Sequence, residues 1–330
     1  MAIFRCNKCG HIREVGNDYI GKSVRCPKCG NLTTSHNTIA YLKAVIKMYI
    51  DRTKELRSLR KELTNDNSNQ EIVEKFSFED IDIHNTNIFT KDNSFAPIVQ
   101  WFEQKKIQVQ IDPDTVDTTG FFDEIALHLG DNFSVLKFVT NQIKYVQNKG
   151  YTNVKIDLAK KNNKEVQQII SFCKALYDYS FVAKYFYQKK DKIIRITLQT
   201  APKIRNFFNG IWMEWFVLIK LLQFFTEEQM VPACSRSLKV FFPGGHSNEL
   251  DIFFLTEQQV PVHIECKSGE FRHDIDKYLT LRKKLNIEKE QCIICVFGLA
   301  QEKAQGMNSM YDLTFVNEHN LIDHVKTVVN

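Results

Sequence analysis

No stretch of this 330-residue sequence approaches the ~18 consecutive apolar residues that a membrane span needs. The most apolar run, IWMEWFVLIKLLQFF, is broken by Glu214 and Lys220 and reads as a buried helix. The opening MAIFRCNKCG lacks the apolar segment of a secretory leader and reaches a cysteine at its sixth residue, so no signal peptide is expected. Charge of one sign is not in large excess either. A net charge of +5 leans toward anionic partners, but far less than in a histone-like binder, so any nucleic-acid contact should be local. Core-forming material, by contrast, is plentiful: 43% apolar and 12% aromatic residues exclude wholesale disorder, and the length allows two or three domains. Nine cysteines in such a chain point to metal or thiol chemistry in a reducing, cytoplasmic setting rather than to a disulfide scaffold.

Four of those cysteines form two matching pairs, Cys6-Asn-Lys-Cys9-Gly and Cys26-Pro-Lys-Cys29-Gly. A Cys-x-x-Cys turn aims two thiolates at one point, and the glycine that follows permits the tight backbone around them. Two such knuckles, sixteen residues apart, supply the four ligands of a closed, structural Zn2+ site. Residues 1–37 are therefore expected to be a small zinc ribbon. From Thr38 to Leu63, apolar residues at 3–4 spacing predict a helix that could dimerise or pack on the body, and TNDNSNQE at 64–71 has the composition of a linker.

Residues 72–204 mix helical and strand patterns and predict an α+β middle domain, with a winged-helix-like arrangement as one option. FFDEIALHLG reads as a helix closed by Gly130, VLKFVTNQIKYVQNKG as a helix with a similar glycine stop, VKIDL as a strand and KEVQQIISFCKALYDY as a helix. FVAKYFYQKKDKIIRITL predicts a hairpin turning at QKKDK. As a wing it would present Lys184, Lys189, Lys190, Lys192 and Arg195 to a phosphate backbone, with Lys189, Lys190, Lys192 and Arg195 the candidate nucleic-acid-binding residues; the bland alternative is a solvated basic turn.

The chemistry lies nearer the C-terminus. NFFNGIWMEWFVLIKLLQFF predicts one helix over 206–225, with Glu214 on the same stripe as Leu218, Leu221 and Phe225. A buried acid needs a cation or water to face. ELDIFFL and VPVHIECK predict an antiparallel strand pair. Strict alternation puts Glu249 and Asp251 on one face of the first strand and Glu265 with Lys267 on one face of the second. His246, Glu249, His263 and Arg272 lie close by in sequence as substrate-contacting, supporting or surface residues. Cys292 and Cys295, in CIIC, should point to opposite faces of a buried strand.

The pattern Asp251…Glu265-Cys266-Lys267 resembles the PD-(D/E)xK nuclease superfamily. More narrowly, GIWMEWFV, NELDIFFL and IECKSG are similar to the C-terminal nuclease domain of CRISPR-ancillary CARF-fused nucleases. The resemblance covers about 205–325 and implies a restriction-endonuclease-like α/β domain over 205–330. By that resemblance Glu214, Asp251, Glu265 and Lys267 are catalytic. The three acids would hold Mg2+ or Mn2+, the ion would activate water and polarise the scissile phosphate, and the lysine would stabilise the transition state. No nucleotide-sensing CARF domain is legible upstream, so activation by a cyclic oligonucleotide is not implied. The expectation is a divalent-metal-dependent DNA endonuclease of a prokaryotic defence or mobile-element system, without membrane association. The alternatives are a non-catalytic nucleic-acid-binding or regulatory protein on a nuclease scaffold, and a repair or junction-resolving nuclease.

Overall fold

A computed structural model describes residues 2–6, 8, 11–38, 95–111 and 120–329. Its contacts divide the chain into two units, Met1–Phe76 and Ser77–Asn330. The helix and linker read at 38–71, apart from Thr38, and the ligand Cys9 lie outside the described residues.

In the first unit, strands β1 (Ala2–Arg5) and β2 (Ile12–Val15) form one antiparallel hairpin and β3 (Ser23–Arg25) and β4 (Leu32–Thr34) another. A short β5 (His36–Asn37) pairs with β1. Cys6 and Cys26 each directly follow the first strand of a hairpin. Both are buried beside Phe4, which leaves this small unit with a core built on its cysteines.

The second unit is organised on a six-stranded mixed sheet, ordered β14-β13-β12-β11-β10-β6. The strands are β6 (Gln108–Gln110), β10 (Ala233–Phe241), β11 (Ser247–Leu255), β12 (Pro261–Lys267), β13 (Cys292–Val296) and β14 (Thr314–Val316). From β6 to β12 neighbouring strands run antiparallel, and β12, β13 and β14 are parallel. Parallel neighbours need crossovers, and helices at Ile275–Leu285 and Gln301–Met310 provide them. The second of these has no counterpart in the sequence reading, because QEKAQGMNSM buries only Ala304 and so carries almost no apolar period.

Two cores flank the sheet. One takes Ile252, Phe254, Val262, Ile264, Cys266 and Cys295; the other takes Phe253, Leu255, Ile294, Cys292 and Val296. Cys292 and Cys295 thus lie on opposite faces, as alternation requires. The second core is closed by α1 (Ala96–Gln104) and the crossover helices. The first is shared with the segment 121–198, which runs α2 (Phe121–Asp131), α3 (Phe133–Asn148), β7 (Asn153–Asp157), α4 (Asn163–Asp178), β8 (Val182–Gln188) and β9 (Ile193–Leu198). Its strands make a separate sheet, ordered β7-β9-β8. Helix α4 starts at a capping box, with the Asn162 side chain accepting from the Glu165 N–H and Glu165 accepting from the Asn162 N–H.

Two helix expectations need correction. Helix α2 runs through Gly130 to Asp131. A Cβ at Gly130 would lie 2.1 Å from Phe216 Cδ2, so glycine is there to let two helices touch, not to stop one. The run 206–225 is not one helix. A short α5 (Pro202–Asn206) leads into a π-helical turn, Phe207–Ile211, before α6 (Trp212–Glu227), and Gly210 at φ 148° makes the kink.

Candidate active site

Strand β12 presents His263, Glu265 and Lys267 on one side and Ile264 and Cys266 to the first core on the other. Glu265, only 4% exposed, is held by Lys267, whose Nζ lies 2.9 Å from Oε1. Burial works against the Lys267 cation. Attraction to Glu265, with further help from Asp251 and Asp274, outweighs it and raises the pKa, so Lys267 is charged at neutral pH. His263 is a core residue and not a surface one. It is fully buried, its Nε2 is 3.8 Å from Glu265 Oε2, and burial lowers its pKa to about 4, so it sits beside Glu265 as a neutral ring.

Asp251 lies at a local break in the strand pattern. On β10 and β11, Arg236 pairs with Ile252 and Leu238 with Leu250, leaving Ser237 and Asp251 facing one another between them. Strict alternation would send Leu238 to the side of Cys234 and Leu250 to the side of Ile252. Both instead join the opposite core. Ser237, between Arg236 and Leu238 on β10, has a left-handed backbone, φ 52°. Glu249 and Asp251 are both within electrostatic reach of Glu214.

The pairing of β11 with β12 ends at Ile252 opposite Ile264. One step further, the Cys266 N–H donates to Asp251 Oδ2 at 2.8 Å, so a carboxylate takes the place of the ladder where the strands part. Asp251 is shifted well above an ordinary aspartate, first by burial, then by Glu265 and Glu214, against which the Cys266 hydrogen bond and Lys267 compensate only in part.

Glu214 enters from the first turn of α6. Its Oε2 accepts from Arg236 Nη1 at 2.9 Å and from Ser237 Oγ at 2.8 Å, and the Arg236 guanidinium lies over the Trp215 ring, 4.0 Å from the centroid. Burial nevertheless raises the Glu214 pKa. Arg236 and Ser237 were not singled out from the sequence. The only signal was an arginine inside an otherwise core-facing strand, which has to find a carboxylate.

Asp251, Glu214 and Lys267 line one cavity of about 540 Å³, together with Lys144 of α3, Asn209 of the π-turn and Ser268. Glu265 stands behind this wall, gripped by Lys267. Asp251 feels the charge of both Glu265 and Glu214, but among the described residues the three acids do not gather within the 4.8 Å that three cysteine sulfurs do. The donor set still fits a hard divalent cation. Burial and two neighbouring acids disfavour the Asp251 carboxylate on its own, a charge a bound cation would offset, and oxygen ligands of this kind are what Mg2+ and Mn2+ take.

Those sulfurs belong to Cys6, Cys26 and Cys29, with Cys6 and Cys29 at 3.4 Å. Four sulfurs around a Zn2+ at ~2.3 Å would be ~3.8 Å apart, so the cluster has the size of one metal site. Lys189 and Lys190 fall in the β8–β9 turn with Lys192, which takes φ 51°, whereas Arg195 sits on the exposed side of β9.

No family model and no curated protein matches the sequence. Solved structures that resemble the chain include the following two. Protein VC1899 from Vibrio cholerae is 16% identical, with a TM-score of 0.49 over 70% of this chain and 60% of that one. Can2 from Sulfobacillus thermosulfidooxidans, in complex with cyclic tetra-adenylate, is 15% identical, with a TM-score of 0.50 over the same shares. The fold is similar to that of Can2. The chain spans less than two thirds of either protein, and at 15% identity the likeness to Can2 is one of fold, a mixed α/β unit on a multi-stranded sheet. Among the described residues, no helix is long and apolar enough to cross a membrane.

Proposed function

We propose that the chain is a divalent-metal-dependent nuclease that hydrolyses phosphodiester bonds, with DNA as substrate, in a prokaryotic defence setting of the CRISPR-ancillary kind. The observation that carries this reading is Asp251 at the parting of β11 and β12, with the Glu265–Lys267 pair beside it and Glu214 on the same cavity. Mg2+ or Mn2+ would be held by Asp251 and Glu265, and would supply Lewis-acid polarisation of a phosphate when bound. Glu214 is tied to Arg236 and Ser237, so in this arrangement it shapes the field at Asp251 rather than offering a second open oxygen pair. Lys267 stays protonated and acts as a fixed positive charge toward the negative charge that develops on the attacked phosphate, not as a base.

Toward the remaining partners, Lys189, Lys190, Lys192 and Arg195 are read as phosphate contacts of a winged-helix-like segment, and Cys6, Cys9, Cys26 and Cys29 as ligands of a structural Zn2+ in a zinc ribbon. A second reading, nucleic-acid binding without cleavage, is favoured by one observation: two of the three acids already have internal cationic partners. Incubation with plasmid, linear duplex, single-stranded DNA and RNA, with and without Mg2+ or Mn2+, decides between them. The expected result is metal-dependent cleavage abolished by Asp251→Asn and by Lys267→Met, with nucleic-acid binding retained. Binding with no metal-dependent cleavage of any of these substrates would favour the second reading.

A further inference from the structure

The small sheet β7-β9-β8 covers the first core with one face, through Val154, Ile156, Ile194 and Ile196, and the side chains of its other face, Lys155, Lys184, Phe186 and Arg195 among them, are exposed. Register aligns the exposed side chains in cross-strand rows. Lys155 pairs with Arg195 and Arg195 with Phe186; in the next row Asn153 pairs with Thr197 and Thr197 with Lys184. The second row is tied by a hydrogen bond from Thr197 Oγ1 to Asn153 Oδ1 at 3.2 Å.

A single exposed apolar side chain needs no explanation. What sets this face apart is that the Phe186 ring, 61% exposed, stands in line with two cations and next to a third. Among the described residues, none of Lys155, Lys184 and Arg195 has a carboxylate within 4.0 Å. Lysines of the same segment outside this face do, in the pairs Lys161–Glu165 and Lys174–Asp178. The acid at the rim, Asp157, already accepts from the Ala159 N–H. Three uncompensated cations around a flat aromatic face call for a partner that is anionic at regular intervals and offers π-surfaces between the charges. Single-stranded nucleic acid meets both demands, whereas a duplex keeps its bases stacked on each other and out of reach of the ring.

We propose that the exposed face of β7-β9-β8 is a single-strand platform, on which Phe186 stacks a base and Lys155, Lys184 and Arg195 hold the flanking phosphates. This deepens the nuclease reading by naming the form in which substrate is held, and it is distinct from phosphate contact at the Lys189–Lys192 turn.

The test is fluorescence anisotropy of the full chain carrying Asp251→Asn, without added divalent metal, on labelled oligothymidylate and on a duplex of equal length. Phe186→Ala is expected to weaken single-strand binding by about 5- to 100-fold, with little effect on duplex, and Phe186→Trp to restore it. Lys155→Ala and Arg195→Ala should each lower the slope of log affinity against log salt by about 0.7. Unchanged single-strand affinity in Phe186→Ala, or equal affinity for duplex and single strand, overturns the platform. So does a concentration-dependent dimer in sedimentation that Phe186→Ala dissolves while binding is unaffected, because the face then joins two copies of the chain. Binding is read without cleavage, so failure of the nuclease reading, scored by plasmid cleavage, leaves this result standing.

Discussion

Replacing Asp251 by asparagine should make the metal-free protein more stable, although it removes the residue most needed for metal binding. The carboxyl is raised well above its ordinary range by burial and by the charges of Glu265 and Glu214. A carboxyl whose folded pKa exceeds its unfolded one stabilises the fold at low pH, and that contribution is lost as pH rises through the folded value. The native state carries the full electrostatic penalty only above that folded value, and part of it as pH rises toward it. Each pH unit by which the carboxyl is raised is worth about 1.4 kcal/mol, or roughly 3–6 °C of Tm in a domain of this size. Asparagine keeps an oxygen for the Cys266 N–H at 2.8 Å and removes the charge. Thermal unfolding at pH 8 without metal should show Asp251→Asn melting above the wild type, with the gap closing as pH falls toward ~4. Mg2+ should stabilise the wild type more than the variant. A variant that melts below the wild type at pH 8, by a margin that does not change with pH, would refute the electrostatic account and leave Asp251 a structural hydrogen-bonding residue.

Arg236→Met should destabilise by about 3–5 kcal/mol in urea unfolding, because it strands Glu214 in a buried site, and adding Glu214→Gln should recover part of the loss. Gly130→Ala should cost about 1–3 kcal/mol through collision with Phe216, and Phe216→Leu in the same chain should relieve it. Freshly purified protein should contain one equivalent of zinc by metal analysis, and Cys26→Ser should lose it. Each outcome is readable without a nuclease assay.

Sequence alone determined the parts that follow from local rules. Paired Cys-x-x-Cys knuckles announce a metal site because two short turns can only aim their thiolates inward, and three of the four sulfurs do gather. The period of two along VPVHIECK separates Glu265 and Lys267 from Ile264 and Cys266, since nothing in β12 disturbs the pleat. The apolar stripe of α4 is likewise legible, because it is set within successive turns of one helix.

Tertiary structure decided the rest. Gly130 looks like a helix stop until Phe216 is found against it, and the close approach of two helices leaves no trace in either sequence. Ser237 carries no mark of its left-handed backbone, since glycine is what usually advertises one, yet its hydroxyl reaches Glu214 across 23 positions of sequence. Arg236 and Glu214 are 22 residues apart and meet only because a helix crosses the sheet at that point. Likewise, Lys155, Arg195 and Phe186 come from three strands, and strand order alone puts them side by side. Pairing across strands and helices depends on register and packing, which are properties of the folded whole and are not written in any one segment.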